Sequence, residues 1–245
     1  MSGLAGDHVK VLVDGYQLTG DSNRVTVDDK RQMHDMTAFE DVVHNFVVGR
    51  RQSNLEHAGY FNPAAAASHP VLKDMAVSGV VSVFLGLNAM PIEGNPAYSL
   101  SVLQGHYKTM PEINKGVPFI AKFANRGQLG GWGTIVGAPQ NAVFTNTANG
   151  LAVDNGAQTT NGGAAYLHVL DTSGTDTYTI TVEGSTTAGF ASPTTLATFT
   201  LNGTQLGSER VAIAGTIPQY TRWKATRTAG SSGDSTNIAV VLVRF

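Results

Sequence analysis

Seven histidines, eighteen carboxylates and sixteen Lys or Arg side chains are the groups in this 245-residue chain that could carry acid–base, metal or anion chemistry. His34, His44 and His57 are spaced too irregularly for a metal motif, and no H-E-x-x-H, G-x-x-x-x-G-K-[ST] or G-x-S-x-G stretch occurs. His34-Asp35 could form half of an acid–base pair, but it reads better as a solvated pair. Asp154, Asp171 and Asp176 lie in Gly/Thr-rich segments, without the ligand-dense spacing of a calcium loop. Asp28-Asp29 followed by Lys30-Arg31 reads as a charged turn. Gly131-Trp132-Gly133-Thr134-Ile135-Val136-Gly137 imitates a dinucleotide loop, but the spacing is one residue too long and no helix follows. It reads as a glycine-rich strand. No cysteine is present, so thiolate catalysis, disulfides and Cys-ligated zinc are excluded. No catalytic, cofactor-binding or metal-ligating residue is expected. Two basic groupings remain. Arg50-Arg51 suits a helix C-terminus. In a strand, Tyr220, Arg222 and Lys224 share one face as a candidate surface-binding patch, with Trp223 turned to the core.

The elements that must position these groups are mostly strands. Charged residues are 14% of the chain and the formal net charge is -2, with no basic footprint of a nucleic-acid binder. Residues 1–10 show no leader pattern, and the longest apolar run, 79–87, is too short for a membrane span. Val9, Val11 and Val13 alternate as a strand before the Asp14-Gly15 turn. Strands are expected at 24–28, 55–61, 80–87, 97–107 and 117–125, and 63–75 could hold a short helix broken at His69-Pro70. One amphipathic helix is expected over 37–48. Phe39, Val42, Val43 and Phe46 form its buried stripe, Thr37 its N-cap, Glu40 its capping box and Gly49 its stop.

Composition changes near residue 145. All six methionines precede residue 111, and threonine and glycine dominate afterwards. This predicts a β module over 1–144, a polar linker over 145–156 and an antiparallel β-sandwich over 157–245, with strands at 165–169, 178–182, 196–201, 209–214, 220–227 and 237–245. The fold class is therefore mainly β: a small barrel or sandwich with one flanking helix, then a second sandwich.

The order Val13-Asp14-Gly15-Tyr16, polar turn, Asp35-Met36-Thr37-Ala38-Phe39-Glu40-Asp41, helix, Gly49 and a strand ending Gly59-Tyr60-Phe61 resembles the major tail (tail tube) proteins of long-tailed bacteriophages. The resemblance implies a non-enzymatic virion subunit, made in the host cytoplasm, that stacks as hexameric rings with other tail proteins. DNA would pass through the lumen without specific binding. The second half would be an immunoglobulin-like domain on the outer surface. The competing expectation is a capsid-decorating or host-glycan-binding module acting through the C-terminal sandwich. Asp14, Asp28, Asp29, Glu56, Asp74, Glu93 and Glu112 are the acids that could face a DNA channel.

Overall fold

The computed structural model describes residues 8–75, 79–87, 89–230 and 234–245; most of the segment read for a leader lies outside them. In chain order the strands are β1 (Val9–Val13), β2 (Tyr16–Gln17), β3 (Ser22–Asp35), β4 (Phe46–Tyr60), β5 (Gly79–Leu85), β6 (Pro96–Thr109), β7 (Pro118–Asn125), β8 (Gly131–Gly137), β9 (Val143–Phe144), β10 (Ala148–Asn149), β11 (Val153–Asp154), β12 (Gly163–Thr172), β13 (Thr177–Ser185), β14 (Thr194–Thr198), β15 (Gly207–Ile213), β16 (Tyr220–Ala229) and β17 (Thr236–Arg244). The α-helix among the described residues is α1 (Ser68–Asp74), between β4 and β5.

The strands build two antiparallel sheets, the larger folded back on itself. β6 is the fold line. Its first residues pair with β8 and its last with β7, both along one edge, while β5 holds the other. The result is four layers. β3-β4-β7 packs on β2-β1-β5-β6 through Leu55, Phe119 and Phe123 against Val11, Val13 and Leu100. The opposite face of β1-β5-β6 packs on β8-β17-β12-β15 through Leu12, Phe84 and Ala97 against Tyr166, Val241 and Val243. The far side of that layer meets the second sheet, β10-β16-β13-β14, through Leu167, Val240 and Leu242 against Tyr178, Ile180 and Trp223. The two inner layers are buried on both faces, so β17 reads as a nearly unbroken apolar run rather than an alternating one, and even Lys10 of β1 is buried.

The mainly β class is observed, as layered sheets without a closed barrel among the described residues. Strands occupy the expected places, and 131–137 is the glycine-rich strand β8. The helix expected at 37–48 is not formed. Residues 36–45 are a turn joining β3 to β4, and Phe46–Val48 are strand. The helix over 68–74 is not broken at Pro70, which sits in the first turn where its missing N–H costs no intrahelical bond. Asp21 accepts the Ser68 N–H at 2.8 Å in that turn. The 145–156 connector is stitched down: β10 and β11 both pair with β16. The halves on either side of it share the larger sheet, through β8–β17, and the middle core.

Candidate functional site: an exposed hairpin arm

β3 and β4 pair over twelve registered positions, from Ser22↔Gly59 to Asp35↔Phe46. β7 supports β4 only from Asn54 to Tyr60. Beyond Asn54 the hairpin is a two-stranded ribbon, with neither strand bonded to a third. At ~3.3 Å per residue the pairing from Asp29 to Asp35 carries it ~20 Å past the layer. It carries Met33, Met36, Phe39, Val42, Val43, Phe46, Val47 and Val48, all at least half exposed. A lone two-stranded ribbon is marginal in water, and exposed apolar side chains gathered in this number mark an interaction site.

Local hydrogen bonds shape the tip. Asp35 accepts from the Thr37 N–H at 2.9 Å, from the Thr37 hydroxyl, and from His44 Nδ1 at 3.2 Å. Asp41 accepts the Ala38 N–H at 2.7 Å. Thr37 therefore closes a turn instead of capping a helix, and Glu40 is exposed with no box to complete. Phe39, Val42, Val43 and Phe46, expected as a buried stripe, are solvent-facing. Asp35 is engaged by His44, not His34; the Thr37 hydroxyl and N–H, with His44, hold its carboxyl below the usual range. This exposed cluster has no enclosed cleft for chemistry.

The arm's base is pinned. Asp29 receives two bonds from the Arg51 guanidinium, one at 2.7 Å, and one from the Ser53 hydroxyl at 3.1 Å. The Arg51 bond holds the Asp29 carboxyl low. Arg51 is thus a strand residue in an ion pair, not a helix-end cation. Beside it, Arg31, Leu129, Trp132 and Arg244 line a groove of about 380 Å³.

Tyr220, Arg222 and Lys224 do share the outer face of β16, with Trp223 in the core. Both cations of that face already share one carboxylate. Glu183 on β13, nearly fully buried, accepts from Arg222 at 2.8 and 2.9 Å and pairs with Lys224 at 3.1 Å. Phe190 stacks on the Arg222 guanidinium at 4.3 Å. Asp154, Asp171 and Asp176 are not brought together, and no metal-ligand group of three forms among the described residues. Asp176 is buried beside Arg227 at 2.9 Å. Of the acids considered for a channel, Asp29 is committed to Arg51 and Glu56 to Arg24 and Lys122. Glu93 accepts the Ala138 N–H, and Asp14 the Ser208 hydroxyl.

Two buried histidines are structural. Gly15 donates its N–H to His168 Nδ1 at 3.3 Å, so Nε2 carries the proton toward Ser82 Oγ at 2.9 Å, and Ser82 meets Ser99 at 2.8 Å. Gly15 holds φ +83, which a side chain would resist. Burial lowers the His168 pKa to about 3 and that of His57 to about 4. His168 alternates with Leu167 and Val169, a pattern that reads as outward-facing unless both faces of β12 are known to be covered. Glu183 was hidden the same way: in a Thr-rich alternation a carboxylate reads as solvated.

No protein-family model and no curated protein matches this sequence. Among solved structures, a chain of the virion of a native gene transfer agent particle aligns with 53% of this chain and 98% of its own, at 14% identity and TM-score 0.44. A chain from the tail of an empty gene transfer agent particle with C6 symmetry aligns with 51% and 96%, at 14% and TM-score 0.39. The SPP1 Dit protein, a hub adsorption protein of Gram-positive-infecting phages, aligns with 96% and 99%, at 9% and TM-score 0.35. All three scores are below 0.5, so this likeness carries no argument about function.

Proposed function

We propose that this chain is a structural subunit of a phage-type virion tail, and that it associates with copies of itself through the β3–β4 arm. The observation that carries the reading is the arm: a ribbon reaching past its supporting strand with eight large apolar side chains exposed. Apolar surface covered on association contributes about 25 cal/mol per Å², against the cost of losing free motion. A projecting arm seated on a different surface of the next copy is a heterologous contact, and such contacts close into rings or extend as filaments.

The finer reading is a major tail (tail tube) subunit in stacked, six-fold rings with other tail proteins, around a channel that DNA traverses without specific binding. Residues 157–245, which hold β12 to β17, would be an immunoglobulin-like surface unit. The sequence resemblance supports this through the Val13–Tyr16 turn and the Gly59–Phe61 strand end; the part that rested on a helix at 37–48 does not. A glycan-binding role for Tyr220, Arg222 and Lys224 is weaker, because Glu183 already engages both cations. Electron microscopy of the purified chain tests the reading: rings or tubes are expected, and monomers under all salt conditions would reject it. In a gel shift at low salt, duplex DNA should bind weakly; tight, salt-sensitive binding would contradict the passive channel.

A further inference from the structure

We infer that the groove at the foot of the arm, between Arg31, Arg51, Leu129, Trp132 and Arg244, receives the arm tip of a second copy of this chain. The inference rests on the self-association reading and names the acceptor surface. Arg31 and Arg51 lie directly opposite each other on the β3–β4 ladder, where like charges repel. Asp29 meets Arg51, leaving the Arg31 guanidinium exposed at the groove mouth. Arg244, also on the lining, donates to the Asn155 carbonyl at 2.7 Å and to the Ala157 carbonyl, so Arg31 is the exposed cation at this inlet. The indole of Trp132 is half exposed and held edge-on to Tyr98, with ring centres 5.3 Å apart. The rim is also fixed: the Leu129 carbonyl accepts from the Tyr166 hydroxyl at 3.1 Å and from Arg210 at 3.2 Å. The groove is at the small end of ligand-site volumes, which run ~300–1,000 Å³, and suits a few side chains.

The tip has the matching chemistry. Phe39 and Val42 are fully or almost fully exposed, and Glu40 and Asp41 lie between them. An apolar pair fits against Trp132 and Leu129, and the Glu40 carboxylate fits toward Arg31, while Asp41 holds the Ala38 N–H of the tip's own turn. A chain cannot serve itself. Its tip begins past Asp35, four residues beyond Arg31 on a ribbon rising ~3.3 Å per residue, and so points away from its own groove. The occupant is therefore another copy, docked tip to foot.

Charge reversal tests this on the full chain by sedimentation velocity, with thermal melting to verify folding. Arg31→Glu alone and Glu40→Lys alone should each weaken assembly at least ten-fold; the two combined in one chain should restore it. Tryptophan emission should shift to the blue on assembly of the parent and not of a Trp132→Phe variant, because Trp223 is already buried. If the parent assembles and the single reversals assemble equally well, the groove is overturned while the arm reading stands. A parent that stays monomeric overturns both. Flotation of the monomer with phosphatidylcholine vesicles through an intact tip would replace the second copy with a lipid surface, and would likewise overturn the inference.

Discussion

His168 and His57 set the acid limit of this fold. Each is neutral in the folded chain because burial disfavours the imidazolium, whereas the unfolded chain takes up a proton near pH 6.5. Below that pH the unfolded state binds more protons than the folded one. The stability these sites contribute is thus complete above about 6.5 and is lost as pH falls toward 4 for His57 and 3 for His168. Melting temperature should drop steadily from pH 7 to pH 4.5, as folding stability falls by on the order of a few kcal/mol in total. The carboxylates Asp21 and Asp29, whose pKa values are lowered, act only below about pH 4 and leave this window to the histidines. A flat profile between pH 6.5 and 4.5 would place both rings in contact with water. The aromatics give a second test. Trp223→Ala removes a core side chain and should cost roughly 3–5 kcal/mol, whereas Phe46→Ala, on the exposed ribbon, should stay within about 1 kcal/mol while impairing assembly. Denaturant titration of the two variants separates them; an equal loss would mean Phe46 is packed.

At the scale of elements, the arm is an appendage to its layer. Joining Asp29 to Ser53, which are register partners, through an Asn-Gly turn would remove the ribbon and keep every strand that packs. The shortened chain should fold with a melting temperature within a few degrees of the parent, yet remain monomeric. The arm is also where sequence reading failed. Phe39, Val42, Val43 and Phe46 have helical spacing, but a short amphipathic helix forms only when its stripe has a surface to bury against, and here there is none. The same residues sit beside Val47 and Val48, and this β-branched and aromatic run pairs with Met33, His34 and Asp35 instead. Asp35 and Asp41 bond local N–H groups, which stabilises a turn in competition with a helix. The strands of the core were legible because alternation and glycine or proline boundaries are local signals. The outward face of β16 was legible for the same reason. The Asp29–Arg51 pair and the groove beside it depend on contacts between segments far apart in sequence, and no local pattern announces them.

At the scale of the whole molecule, the compositional shift near 145 does not mark a break in packing. β17, the last strand, lies between β8 and β12, and its two faces contribute to two of the three cores. Truncation after Gly150 should therefore expose Leu12, Phe84 and Ile135, and leave β8 without one neighbour. The truncated chain should be insoluble or lack a cooperative melt. A cooperative melt in 1–150 would instead show that the layers fold independently. The four layers share strands, and the arm gathers eight of the large apolar side chains that they leave exposed. In the proposed assembly this arm holds copies together. Sedimentation velocity of the full chain beside the arm-shortened chain, over a hundred-fold range of concentration, tests it most directly. Concentration-dependent large species are expected for the full chain and a single monomer boundary for the shortened one; matching boundaries for the two proteins would contradict an arm-mediated contact.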